Sequence, residues 1–376
     1  MQDTNPPRGV RRNGAIDVLR GWAVLSVILL HLNIRVPFDG CALGRALPNS
    51  SYKLLFWSGY PAVMVFFVIS GFLITTVSEA RWGELVRIDV RRFYRIRFAR
   101  IAPTLALFVL VQSLLQVAGV AGFAESRPSA SLAATVFSAL TFHLNWLEAK
   151  MGYLPGAWDV LWSLSVEELF YSGFPVLARV LRPRFMLYGL LIAFAIFGPF
   201  ARVAMNSSEL WRDHSYLSCM GEIAIGCLAA LLWRRHPPSK AFAGALLAGG
   251  AVLMGFVLYF RHAVRALGLY DRGLDVTVLS LGTAAVLIAV TMVPSETVTT
   301  NQRAFAPLRW FGRNSYEIYL SHLFVVIPAS LLWRRVDSSP LIPLLYAMVI
   351  AMSGVLGALV SEFFSKPCSQ RLRARS

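Results

Sequence analysis

The chain has 376 residues, of which 56% are hydrophobic, 12% aromatic and only 15% charged, and its mean hydropathy is +0.58. That is more apolar material than a soluble core of this length uses, so an ordinary soluble globule is excluded and the bilayer is indicated. The net charge of +16 would suit nucleic acid, but the cations lie in short segments between long apolar runs, where topology and anionic headgroups account for them, and no nucleic-acid partner is expected.

Reading runs of about 20 apolar residues as spans predicts ten of them, at 15–32, 54–77, 102–120, 160–180, 185–200, 216–233, 241–260, 276–293, 318–333 and 341–364. The segment 132–147 is short and carries His143 and Asn145, so it reads as one re-entrant or interfacial helix. With ten spans and a cytosolic N-terminus, about two thirds of the 36 Lys and Arg fall on the cytosolic side, whereas an eleventh span would send the cationic tail outward. The expected fold is therefore an all-α polytopic bundle with both termini cytosolic. It forms a single integral-membrane domain over 1–376, with basic tails at 1–14 and 366–376. The first span is too long, and too polar at Arg20 and His31, to be a cleaved signal peptide. The four cysteines show neither a disulfide framework nor metal-ligand spacing, so no metal is expected.

The first span holds the most informative pair. A charge in the hydrocarbon core costs on the order of 3 kcal/mol and usually has a task. Eleven residues at about 100° each place Arg20 and His31 on one helix face, about 16 Å apart. The loop after the second span is rich in arginine, and its first part reads as a topology anchor. Arg97 and Arg100 are one turn apart at the edge of the third span, where two guanidinium forks suit the phosphates of a cytosolic ligand.

The fourth span opens Trp162-Ser-Leu-Ser-Val-Glu167-Glu168-Leu-Phe-Tyr171. Adjacent residues point about 100° apart, so one carboxylate can face the interior while the other seeks a separate partner. Glu167 is a candidate base or an arginine partner. At the start of the ninth span and just before it, Tyr316, Tyr319 and His322 recur every three residues and make a polar stripe. On residue types alone, an enzyme and a secondary transporter both fit a membrane interior holding His, Arg and Glu. The absence of an internal repeat and of matching broken helices counts against the transporter.

Five motifs in order give the chain a resemblance. They are Asp17-Val-Leu-Arg20-Gly with His31 beyond it, and Phe66-Phe67-Val-Ile-Ser70-Gly71-Phe72. After these come Arg97-Phe-Ala-Arg100-Ile-Ala-Pro103, the Trp162 to Tyr171 segment, and Ser315-Tyr316-Glu-Ile-Tyr319-Leu-Ser-His322. Over nearly its whole length the chain resembles the integral-membrane acyltransferase 3 family, whose members O-acylate glycans and other exported molecules. Leu169 stands where a glutamine is frequent in the family, and Asp159 falls in a variable stretch.

The resemblance implies a multi-pass protein of the bacterial cytoplasmic (inner) membrane. It implies transfer of an acyl group, usually acetyl, from cytosolic acyl-CoA to a hydroxyl of a cell-surface or lipid-linked glycan, with a small natural product as the alternative acceptor. Acyl-CoA is a co-substrate, and no bound cofactor is expected. By motif match His31, Arg20 and Glu167 are the catalytic candidates. Arg97, Arg100, Ser70, Gly71, Trp162, Tyr171, Tyr316, Tyr319 and His322 are candidates for binding the donor or acceptor. His31 would serve as general base or as transient acyl carrier. Some relatives carry an extra esterase-like domain, which this sequence is not expected to have.

Overall fold

A computed structural model describes residues 12–124, 129–235, 239–292, 303–336 and 339–374. Most of the predicted tail 1–14, the last two residues of the tail 366–376, and position 293 at the end of the eighth predicted span lie outside the described residues. Among the described residues no strand occurs. The helices used below are α1 (Gly14–Arg35), α2 (Gly59–Trp82), α3 (Val90–Val117), α4 (Leu132–Leu140), α5 (Leu144–Met151), α6 (Leu161–Val180) and α7 (Arg184–Ala204). They continue with α8 (Tyr216–Arg235), α9 (Lys240–Tyr259), α10 (Leu274–Met292), α11 (Ser315–Ser321), α12 (Leu323–Val336) and α13 (Ile342–Val360). The protein is an all-α polytopic membrane protein.

All ten predicted segments contain helix among the described residues, and they differ in how apolar they are. Among the described residues, 8 helices are long and apolar enough to cross a bilayer, and α11 with α12, bent by 42°, makes a ninth if the pair is one span. The segment predicted as the fourth span folds as α6, a helix of 20 residues, but Glu167, Glu168 and Arg179 leave it too polar to join that set. The 132–147 segment is broken. It forms α4 and α5 around Phe142, which takes the left-handed backbone at φ 58. Neither piece reaches the length a span requires.

The described residues form two compact units. One takes the residues up to Asp17, Met64–Arg97 and Val166–Ala306. Its helices meet through small residues. A Cβ on Gly71 of α2 would overlap the carbonyl oxygen of Ile223, and one on Gly226 of α8 would overlap that of Val68, so the two backbones touch. Between helices in lipid, such close approach supplies the van der Waals contact that a hydrophobic effect cannot. Gly250 of α9 and Gly282 of α10 repeat the arrangement. The buried Arg202 guanidinium is met by the Ser218 carbonyl, by Asp213 at 3.4 Å and by Glu222 at 3.5 Å.

The other unit takes Val18–Val63, Phe98–Ser165 and the described residues from Pro307 onward. Here Gly21 lets the backbone at Leu308 reach α1, and Gly357 of α13 receives Ile318 of α11. The end of α1 is clamped. Asn33 Oδ1 accepts from the Phe38 backbone at 3.0 Å and the Tyr52 hydroxyl at 2.8 Å, while the Tyr346 hydroxyl donates to the Val36 carbonyl at 2.7 Å. The Phe38 ring packs between Phe56 and Tyr346. Fixing this end fixes the last two turns of α1, where His31 projects.

Candidate active site

Unbroken helix from Gly14 to Arg35 keeps the register the sequence implies, with half-buried Arg20 and His31 on one face. His31 Nδ1 lies 3.1 Å from its own helix carbonyl at Val27 and 3.1 Å from His322 Nε2. His322 Nδ1 lies 2.7 Å from the Tyr319 carbonyl. A carbonyl only accepts, so this network assigns a proton to Nδ1 of each neutral ring and leaves each Nε2 with a lone pair. His322 Nε2 therefore accepts from His31, and His31 Nε2 becomes the basic atom. Asp159 Oδ2 stands 3.7 Å from it. The His31 side chain is 15% exposed and that of Asp159 23%, so neither is fully enclosed by the protein.

The surroundings are built from the same unit. Arg35 donates to the His31 carbonyl at 2.9 Å. Tyr319 donates to Ser163 at 2.7 Å, Tyr316 to the Ile101 carbonyl at 3.1 Å, and Trp162 stacks on Tyr60. Asp159 sits in the short turn Trp158–Val160 ahead of α6. That turn is held by Gln112, which accepts from the Ala157 backbone at 3.2 Å, and by Gln116, which accepts from the Trp158 indole at 2.8 Å. Fully buried Glu148 of α5 has a carboxylate oxygen within 4.8 Å of one on Asp159. Burial first, and the Asp159 charge second, push the Glu148 carboxyl well above the usual range, against a smaller opposing effect of the Leu154 backbone.

A second polar cluster belongs to the other unit. Arg97 of α3 donates to Glu168 of α6 through Nη2 at 2.7 Å and Nε at 3.1 Å, and to Glu167 at 3.1 Å. Its guanidinium lies 3.3 Å over the Tyr171 ring, a cation–π contact. Ser70 of α2 bonds Glu167 and the Tyr171 hydroxyl. Both carboxylates thus converge on Arg97, where the sequence suggested separate partners. A guanidinium can bridge two neighbouring positions because its donors fan out in a plane. Arg97 is consequently committed to carboxylates, while Arg100, one turn further on, is exposed. Gly71 serves the α2–α8 approach described above.

A family model described as an acyltransferase domain matches residues 13–362. The chain belongs to the acyltransferase 3 family. It is similar to the peptidoglycan O-acetyltransferase OatA of Listeria monocytogenes, at 26% identity over 83% of this chain and 49% of that protein. It is also similar to the putative peptidoglycan O-acetyltransferase YrhL of Bacillus subtilis, at 28% identity over 83% of this chain and 48% of that protein. The O-acetyltransferase OatA of Staphylococcus aureus is 24% identical over 83% of this chain and 50% of its own length. The chain thus spans about half the length of these relatives. No solved structure matches.

In this acyltransferase 3 chain, two site residues escape the motifs. Asp159 was visible only as an oddity in a variable stretch, and nothing local ties it to a histidine 128 positions earlier. Glu148 lies in Leu144-Asn-Trp-Leu-Glu148, where an acid one turn after a leucine at the end of a short apolar segment is the available signal.

Proposed function

We propose that this chain is a membrane O-acyltransferase that moves an acyl group, with acetyl the expected one, from acyl-CoA to a hydroxyl of an envelope glycan. The observation that carries this reading is the bare Nε2 of His31 beside Asp159. The acceptor hydroxyl gives its proton to Nε2 as its oxygen bonds to the thioester carbonyl carbon. The carbon–sulfur bond then breaks, and the imidazolium returns the proton to the departing thiolate. Asp159 offsets the transient positive charge, and His322 holds the ring in the tautomer that exposes Nε2.

The orientation follows the charge bias of the loops: termini in the cytosol, Arg20 on the donor side and His31 towards the outer leaflet of a bacterial cytoplasmic membrane. Arg20 orients the donor or offsets charge developing on it. Exposed Arg100 offers its guanidinium to donor phosphates, while Arg97 braces Glu167 and Glu168. The names of the peptidoglycan O-acetyltransferases support a glycan as acceptor.

Membranes containing the protein, given labelled acetyl-CoA and an envelope glycan extract, should yield label on the glycan as a base-labile ester. His31→Ala should abolish it at equal expression. Label that stays on CoA with the unaltered protein, or transfer that survives His31→Ala, overturns the reading.

A further inference from the structure

A cleft of about 210 Å³ opens in the unit that holds Arg97, between the end of α2, the turn Leu85–Arg87, the end of α6 and the start of α7. Leu181 and Leu187 line it with the Tyr188 ring, and Glu79, Glu84 and Arg184 supply its polar atoms. Glu79 follows Ser70 on α2 and Ala178 follows Tyr171 on α6, so the cleft lies about 13 Å along one helix and about 10 Å along the other from the Ser70–Tyr171 cluster.

Arginines lie beside it, both in its wall and in the adjoining loop. Glu84 is paired by both Arg184 and Arg87, with Arg87 Nε at 3.6 Å, so its charge is already offset. Exposed Arg91 and Arg95 follow in the first turns of α3, and Arg179 anchors the loop by donating to the Ile88 carbonyl at 3.3 Å. An aromatic face between leucines, carboxylate acceptors at the wall and guanidinium groups at the rim are the three parts that recognise a purine nucleotide. The ring stacks on the base, a carboxylate accepts from the exocyclic amine, and arginines take the phosphates.

We infer that this cleft binds the adenosine 3′,5′-diphosphate end of the acyl-CoA donor, with Tyr188 as the stacking platform. The inference rests on the acyl-CoA reading above and adds a site to it. The first part of the arginine-rich loop, which on sequence alone reads as a topology anchor, becomes the phosphate-facing rim of that site.

The test compares two donors on the full chain in membranes: acetyl-CoA, and acetyl-pantetheine, which lacks the nucleotide. Tyr188→Ala should lower the ratio of kcat/KM for acetyl-CoA over acetyl-pantetheine about tenfold, the effect of losing one aromatic stack, while Tyr188→Phe should hold it. Adenosine 3′,5′-diphosphate alone should raise the melting temperature of the unaltered protein in detergent but not that of Tyr188→Ala. A ratio that Tyr188→Ala leaves in place, including one where both donors weaken alike, overturns the cleft assignment while the acyl-CoA reading stands. The same holds for a nucleotide that fails to protect the unaltered protein. No turnover of acetyl-CoA by the unaltered protein overturns the acyl-CoA reading and the cleft with it.

Discussion

His31 Nδ1 and His322 Nε2 meet at 3.1 Å across 291 positions of sequence. Because His322 is itself oriented by the Tyr319 carbonyl, its lone pair is aimed at His31, and together with the Val27 carbonyl it holds the proton of His31 on Nδ1, away from Nε2. One histidine sets the tautomer of the other, which makes His322 a positioning residue and His31 the group that handles the proton.

His322→Phe keeps an aromatic ring of similar size but removes one of the two acceptors of His31 Nδ1, leaving the Val27 carbonyl. The rate should fall about 10–100-fold, less than for His31→Ala, where loss of a general base costs about 10²–10⁴. His322→Gln, whose carbonyl can accept from His31 Nδ1, should recover part of the loss. Initial rates at matched expression decide it, and equal defects for Phe and Gln would refute the tautomer argument.

Asp159→Asn preserves shape and removes the charge 3.7 Å from His31 Nε2. At an effective dielectric of about 20 the full attraction at that distance is about 4 kcal/mol, and partial exposure of both groups leaves about 1–2 kcal/mol, or roughly tenfold in kcat. KM for the donor should move much less, since the charge is needed only once the imidazolium forms. An unchanged kcat would remove Asp159 from the mechanism.

The sequence shows what depends on one segment. Arg20 and His31 share a face because both lie on one uninterrupted helix, and the apolar runs mark the helices because bilayer thickness sets their length. It conceals what depends on two. Gly71 reads as part of a motif, but its reason is Gly226 on a helix 155 positions away. Glu167 and Glu168 point apart on an ideal helix, yet one planar guanidinium gathers both. The break in 132–147 turns on a non-glycine residue, Phe142, taking a left-handed backbone, which residue type alone does not forecast.

Gly71→Ala and Gly226→Ala each insert a methyl group where a carbonyl oxygen already sits. Overpacking of this kind costs about 1–3 kcal/mol when the backbones must part. Each variant should melt lower in detergent. The double variant should lose less than the sum, because α2 and α8 separate once for both. Strict additivity would mean the two glycines are not sharing one crossing.

Arg97→Ala leaves Glu167 and Glu168 without their cation on a largely buried site. The stability loss should be about 3–5 kcal/mol, the cost of an uncompensated buried charge. Adding Glu168→Gln should recover a substantial part, since it removes one of the stranded charges. Thermal melts of the single and double variants settle this, and a double variant no better than Arg97→Ala would contradict the pairing.

Glu148 links stability to pH. Its carboxyl is raised well above the 4.5 it has when unfolded, by burial and then by Asp159. Below about pH 4.5 both folded and unfolded chains hold this proton and it contributes no slope. As pH rises the unfolded chain releases the proton first, so the folded state binds more protons and stability falls, by up to about 1.4 kcal/mol per pH unit, until the folded group ionises. Glu148→Gln has no proton to lose. Its melting temperature should match that of the unaltered protein near pH 4.5 and exceed it by a margin that widens towards neutrality. A constant difference across that range would show that Glu148 ionises in the folded protein as readily as outside it.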